Sequence, residues 1–132
     1  MKKRITRLII ILVFLFLIAC NSDNDTTTVK DGTYVLEQAA GAESHVAPSV
    51  TIENDNISFS YDLLSSYLAV GQYTVEKDLL TMKTNDENYT YVFQIDDDQL
   101  IFKENESSEI KIIDEKFGVK ITNNLIFKLI DE

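Results

Sequence analysis

The stretch Tyr89-Thr90-Tyr91-Val92-Phe93-Gln94-Ile95 decides the fold class of this chain of 132 residues. Its aromatic and large apolar residues recur at every second position, and the side chains of a β-strand point to the same face with that period. Thr90 and Gln94 occupy the opposite face. This alternation is typical of an antiparallel sheet with one buried face, because parallel strands are buried on both faces and have unbroken apolar runs.

Shorter alternations of the same period lie on both sides of this stretch. They comprise Tyr34 with Leu36, Val50 with Ile52, Ile57 with Phe59, Tyr73 with Val75, Leu80 with Met82, Leu100 with Phe102, Ile110 with Ile112, and the segments 120–122 and 125–129. Residues that favour turns, mainly Asn, Asp and Gly, separate them. We therefore predict an all-β domain, an antiparallel meander of about 8–10 short strands that closes into a small barrel, with an open sandwich as the alternative.

Several connections can be placed from composition. The segment 53–56 and the triplet Asp96-Asp97-Asp98 are predicted hairpin turns, and Lys77-Asp78 is a predicted two-residue turn. Residues 38–48 lack alternation and are predicted to form a long connection. The segment 62–68 mixes apolar residues and serines without a clear period, which is compatible with a helical turn or an irregular corner.

The N-terminal segment has the pattern of a secretory signal. Basic residues at positions 2, 3, 4 and 7 precede an apolar run at 8–18. A bilayer span needs about 20 residues, so the run favours a cleaved signal helix over 1–19 rather than a transmembrane anchor. Leu17, Ile18 and Ala19 precede Cys20 as in a lipobox, in which the cysteine becomes the first mature residue and carries a diacylglycerol thioether. Cys20 is the only cysteine, so no disulfide competes for its thiol.

The predicted cleavage divides the chain into a signal at 1–19, a lipidated cysteine with a flexible polar tether at 20–31, and a barrel domain at 32–132. Four of the 12 basic residues and none of the 22 acidic residues belong to the signal, so the mature chain has 8 basic residues and a formal charge of −14. This charge argues against nucleic acid as a partner. We expect the diacylglycerol on Cys20 to be the whole attachment, on the extracytoplasmic face of the cell membrane.

The stretch from Ser65 to Glu76, continued by Leu79 to Met82, Tyr91 to Asp96 and Leu100 to Phe102, resembles a small β-meander domain of low-GC Gram-positive bacteria. That domain occurs as stand-alone lipoproteins and as an extracellular module on membrane metallopeptidase sensors of the BlaR type. The chain itself carries no metallopeptidase motif. Gly32-Thr33-Tyr34 is also similar to the Gly-x-Trp of the first strand of calycins, with tyrosine in place of tryptophan, and this similarity implies a lipocalin-like barrel.

Eight aromatic residues are candidates to line the barrel interior or a ligand site. They are Tyr34, Phe59, Tyr73, Tyr89, Tyr91, Phe93, Phe102 and Phe127. Barrels of about eight strands either fill their interior with side chains or leave room for one small ligand. We expect a packed core, because a domain of this size needs most of its apolar residues for stability.

No catalytic residue, cofactor or metal site is predicted. His45, the single histidine, falls in a predicted surface loop, and the sequence identifies no partner for it. The segments 86–88 and 96–98 offer adjacent carboxylates to calcium, but they lack the alternate ligand spacing of an EF-hand loop. The preference of Asp and Asn for turns explains both segments.

These observations predict a non-catalytic lipoprotein of the bacterial cell envelope. The first functional hypothesis is a binding module that holds a small apolar molecule or a peptide in or across the barrel. The alternative is a protein-interaction or accessory domain of a membrane sensor. In that case the core would be fully packed, and loops such as 38–48 or 62–68 would form the contact surface.

Overall fold

The computed structural model describes residues 27–37 and 47–131. The strands within them are β1 (Gly32–Leu36), β2 (Ser49–Glu53), β3 (Asn56–Ser60), β4 (Ala69–Glu76), β5 (Leu79–Thr84), β6 (Thr90–Asp96), β7 (Gln99–Phe102) and β8 (Ile126–Leu129). Each strand pairs with the next in antiparallel orientation, and β8 pairs with β1 to close the barrel. The predicted all-β meander is confirmed, and a closed barrel rather than an open sandwich is observed.

The connections differ in length between the two ends of the barrel. At one end, which we name the turn end, the connections are residues 54–55, 77–78 and 97–98. At the other end, which we name the loop end, they are residues 61–68, 85–89 and 103–125, and β1 ends and β2 begins at this end as well. The first residue of each two-residue turn has a φ between 49° and 57°, a left-handed conformation that lets the chain reverse within two residues. The three predicted hairpin turns are therefore confirmed.

Phe59 of β3 lies at the centre of the barrel and is fully buried. Its ring makes edge-to-face contacts with those of Tyr61, Tyr91, Phe93 and Phe127, at centroid distances of 5.1 to 5.7 Å. Aromatic pairs are attractive in this geometry because the positive ring edge meets the negative ring face. The contacts cross from β3 to β6 and β8, so aromatic rings occupy the middle of the barrel.

The backbones of β4 and β5 approach closely at Gly71. A Cβ atom at this position would lie 1.9 Å from the carbonyl oxygen of Lys83 and 2.8 Å from the Cα atom of Thr84. Only glycine allows this approach of two backbones. β4 begins at Ala69, earlier than the sequence pattern suggests, because Ala69 pairs with Phe59 of β3.

Two further predicted strands are wrong. Ile110 with Ile112 and the segment 120–122 lie in the irregular connection between β7 and β8, which contains only a short 3₁₀ helix at Glu104–Glu106. Ile121 is buried in the core and Ile110 packs against the core. The apolar alternation in this connection therefore reflects burial at the end of the barrel and not strand pairing. Because β8 pairs with β1, the sheet has no free edge for a ninth strand.

The last residues before β1 contact the turn end. Val29 packs against the core, and the Lys30 carbonyl accepts a hydrogen bond of 2.8 Å from the Tyr34 hydroxyl. The Lys30 ammonium lies 2.6 Å from an Asp98 carboxylate oxygen. The predicted tether is thus attached to the barrel at Val29 and Lys30. The predicted signal with Leu17, Ile18 and Ala19, the lipidation site Cys20, residues 38–46 and His45 within them lie outside the described residues.

Candidate functional site

An open cleft of about 560 Å³ lies at the loop end of the barrel. Its walls come from three of the long connections, those at 61–68, 85–89 and 103–125. The lining residues are Tyr61, Ser65, Tyr67, Asn88, Tyr89, Ser108, Glu109 and Lys111. Aromatic faces together with a few polar groups are typical of ligand-binding clefts.

A nearly buried carboxylate joins two of these connections. Asp62 is 8% exposed, and its Oδ1 accepts a hydrogen bond of 3.0 Å from the backbone N–H of Leu64. Its Oδ2 accepts one of 2.7 Å from the backbone N–H of Ile113, 51 residues further along the chain. Hydrogen bonds to a charged acceptor are stronger than neutral ones, so Asp62 holds the 61–68 wall against the 103–125 wall. The 61–68 segment is an irregular corner, one of the two forms compatible with its sequence.

Asp86 organises the second wall. Its Oδ1 accepts hydrogen bonds from the Thr84 hydroxyl at 2.6 Å and from the Asn88 backbone N–H at 3.0 Å. Its Oδ2 accepts one of 2.9 Å from the Tyr67 hydroxyl across the cleft. The hydrogen bond from Thr84 and, to a smaller extent, the other two lower the pKa of Asp86 to about 2. The carboxylate is therefore ionised at neutral pH and fixes the position of the Tyr67 ring.

The third wall is fastened to β6 by two serines. The Ser107 hydroxyl accepts a hydrogen bond of 2.8 Å from the backbone N–H of Val92, and the Ser108 hydroxyl accepts one of 2.9 Å from Thr90. Ser108 also donates its backbone N–H to the carbonyl of Thr90 at 2.7 Å. These bonds place the following residue, Glu109, beside the start of β6.

Four tyrosine rings connect the cleft with the barrel interior. Tyr67 meets Tyr89 edge-on at a centroid distance of 5.5 Å, and Tyr89 stacks on Tyr91 at 6.3 Å. Tyr91 in turn lies 5.9 Å from Tyr61, and its hydroxyl donates a hydrogen bond of 3.4 Å to the Tyr61 hydroxyl. Burial raises the pKa of Tyr91, and loss of hydration also raises that of Tyr67. Both phenols are thus neutral at physiological pH, so the rings offer uncharged aromatic faces.

The eight aromatic residues that the sequence marks as lining fall into three groups. Tyr34, Phe59, Tyr91, Phe93, Phe102 and Phe127 are buried in the core. Tyr73 is half-buried at the turn end, where its hydroxyl donates to the carbonyl of Asn54 at 2.8 Å. Tyr89 is 37% exposed, because it precedes β6 and its ring extends above the barrel at the cleft. The aromatic alternation of the sequence therefore continues from the core into the candidate site.

The remaining lining residues carry little sequence signal. Ser65, Tyr67, Asn88, Ser108, Glu109 and Lys111 come from connections far apart in the chain and follow no common spacing. The sequence at 86–88 indicated only a turn or a weak calcium candidate, and not a wall of a cleft. In the structure the Asp86 carboxylate accepts three protein hydrogen bonds, and Asp98 of the other acidic segment pairs with Lys30. Across residues 27–37 and 47–131, no group of three potential metal ligands is found.

Exposed apolar side chains flank the cleft. Leu63 and Leu64 are 54% and 53% exposed, and Ile113 is 66% exposed. We name these three residues the apolar patch. Leu64 and Ile113 are neighbours because their backbone N–H groups bind the same carboxylate of Asp62.

Comparisons of the chain with protein-family models, curated proteins and solved structures gave no match. In the part of the chain that the structure describes, no helix is both long and apolar enough to cross a membrane.

Proposed function

We propose that this chain is a lipoprotein of the cell envelope whose barrel is a non-catalytic binding module. The observation that carries this proposal is the tyrosine-lined cleft of about 560 Å³ at the loop end, above an interior occupied by aromatic rings. A ligand is therefore held across the mouth of the barrel rather than inside it. The ligand is a small molecule or a peptide segment that lies against the rings of Tyr61, Tyr67 and Tyr89.

The proposed lipid anchor on Cys20 is compatible with ligand binding at the loop end, because the chain enters the barrel at the opposite end. The seven residues 20–26 separate the lipid from the first described residue, and they span at most about 25 Å when extended. Residues 27–31 contact the turn end, where Val29 packs on the core and Lys30 pairs with Asp98. The tether therefore joins the barrel at the turn end, and the cleft lies at the opposite end, away from the point of attachment.

A titration followed by NMR tests this proposal. The mature chain 20–132 with Cys20→Ser is mixed with short peptides and small aromatic amphiphiles, and the backbone amide shifts are recorded. We expect saturable shifts at Tyr67, Asn88 and Ser108, and none in the turn around Lys77. The variant Tyr89→Ala should weaken binding, whereas Tyr73→Ala, which removes a tyrosine at the turn end, should not.

Two results would contradict the proposal. Shifts centred on Phe93 and Phe127 would place the ligand inside the barrel, and the core would then have to open. An absence of saturable shifts with every compound would remove the cleft as a binding site.

A second candidate function is that of an accessory domain that docks on the extracellular part of a membrane protein. The apolar patch favours it, since three large aliphatic side chains are held in water by the rigid link through Asp62. A photo-crosslinker at Ile113 should give one discrete product with a membrane protein in intact cells, while one at Lys77 should not. Equal diffuse labelling from both positions would exclude this role.

A further inference from the structure

We infer that the loop-end cleft recognises a methylated or quaternary ammonium cation, an inference that rests on the proposed binding function and names the chemical class of its ligand. Three tyrosines from two connections line the cleft, and Tyr67 and Tyr89 meet edge-to-face while each is 37% exposed. The face of an aromatic ring carries negative charge density and attracts a cation within about 6 Å of its centre. Quaternary ammonium groups are bound in this way by sets of aromatic rings.

The rings are held in place before any ligand arrives. The Tyr67 hydroxyl donates a hydrogen bond to the Asp86 carboxylate, which also accepts hydrogen bonds from the Thr84 hydroxyl and the Asn88 backbone N–H. Tyr89 is stacked on Tyr91, which belongs to β6 of the barrel wall. A preorganised set of rings loses little conformational entropy on binding, which favours affinity.

The charges around the cleft also favour a cation. Asp86 lies at one of its walls, and Asp62 lies behind another. Among the described residues of the lining, Lys111 is the one base, and its ammonium lies 3.4 Å from the Glu109 carboxylate, so this pair adds no net charge to the cleft. Together with the excess of acidic over basic residues in the whole chain, these groups attract cations and repel anions.

The aromatic lining distinguishes a methylated ammonium from a bare one. A primary ammonium is strongly hydrated. When it loses this water on binding, its three N–H groups need hydrogen-bond acceptors from the protein. The Asp86 carboxylate already accepts three hydrogen bonds from the protein, and Glu109 is paired with Lys111. A cation whose charge is covered by methyl groups needs no such acceptors, and its methyl groups pack directly on the tyrosine rings.

Isothermal titration of the mature chain with choline and with 3,3-dimethylbutan-1-ol tests the inference. The two compounds have nearly the same shape, but only choline carries a charge. We expect choline to bind at least about tenfold more tightly, since one or two cation–π contacts supply a difference of that size. Phosphocholine is the third titrant. Tighter binding of phosphocholine than of choline would indicate a lipid or polymer headgroup as the source of the cation, and weaker binding would indicate a free small molecule.

Variants test whether the tyrosines are responsible. Tyr89→Leu and Tyr67→Leu should each weaken choline binding about fivefold or more, because each removes one ring face. Tyr73→Leu, at the turn end, should leave it unchanged, and circular dichroism confirms that each variant is folded. Equal affinity for choline and its uncharged isostere would overturn the inference while leaving the cleft as an apolar binding site. If peptides bind the cleft and choline does not, the inference again fails and the proposed function stands, and if nothing binds, both fail.

Discussion

Replacing Phe59 by alanine should remove a large part of the stability of the barrel. Core Phe→Ala substitutions cost about 3–5 kcal/mol, through lost transfer free energy and the cavity left behind. Phe59 is fully buried and its ring contacts five other rings, with centroids 5.1 to 6.0 Å away, so we expect a value near the top of that range. The free energy of unfolding of a small domain is about 5–15 kcal/mol, so such a loss lowers it severely.

Urea unfolding followed by far-ultraviolet circular dichroism measures this loss. The free energy of unfolding falls by about 1.5 kcal/mol per molar urea in a small protein. A loss of about 4–5 kcal/mol therefore lowers the urea midpoint by about 3 M. Phe117→Ala is the matched control, because Phe117 is 76% exposed and should change the free energy of unfolding by no more than about 0.5 kcal/mol. Phe59→Leu, which keeps most of the apolar volume, provides a folded variant with a loss of about 1–2 kcal/mol if the alanine variant does not fold.

The comparison of these variants can refute the packed interior. If Phe59→Ala costs less than about 2 kcal/mol, the surrounding rings are loosely packed or collapse readily into the space. A ligand could then enter the barrel, and the argument that places it in the loop-end cleft would fail. A loss of similar size in Phe117→Ala would contradict the exposed position of that ring.

Three further outcomes follow from individual residues. Gly71→Ala should destabilise the barrel by about 3 kcal/mol or more, because its Cβ would meet the Lys83 carbonyl at 1.9 Å, and thermal unfolding should show a Tm lower by at least about 12 °C. The pKa of Asp86 lies at about 2, below its usual value near 3.8, so the contribution of Asp86 to stability is present above pH 4 and is lost as the pH falls from about 4 to 2. NMR titration of the Asp86 carboxyl carbon should give this low midpoint. The variant Asp86→Asn should lose less stability than the wild type between pH 4 and pH 2. A carboxyl midpoint near 4 would contradict the hydrogen bonds from Thr84 and Tyr67. Cys20→Ala should abolish metabolic labelling with fatty acid and leave the precursor uncleaved, and continued labelling would refute the proposed anchor.

Much of the fold could be predicted from local patterns. A strand whose one face is buried needs alternate apolar residues, and a two-residue turn needs residues that tolerate unusual backbone angles. Both requirements are met within a few neighbouring positions, as in Tyr91 with Phe93 or Asn54 with Asp55. The same logic explains the two wrong strands. Ile121 is buried without belonging to a strand, since alternation reports burial on one side and not hydrogen bonding.

The candidate site could be predicted only in part. Tyr89 was found as a member of the aromatic alternation, but its position above the barrel depends on where β6 begins, at Thr90. The sequence carried no signal for Glu109 and Lys111, because hydrogen bonds between distant residues, Ser108 with Thr90 and Ile113 with Asp62, bring their connection to the cleft. No pattern of neighbouring residues encodes a contact over 51 positions.

The sequence by itself determined the positions of the eight observed strands, the side of each that faces inward and the tight turns, because each depends on the period or chemistry of adjacent residues. Only the tertiary structure decided that β8 meets β1, that the rings around Phe59 occupy the barrel, and that three distant connections form the loop-end cleft. These features arise from pairing and packing between residues far apart in the chain. Their free energy depends on the whole set of contacts and is not contained in any one segment.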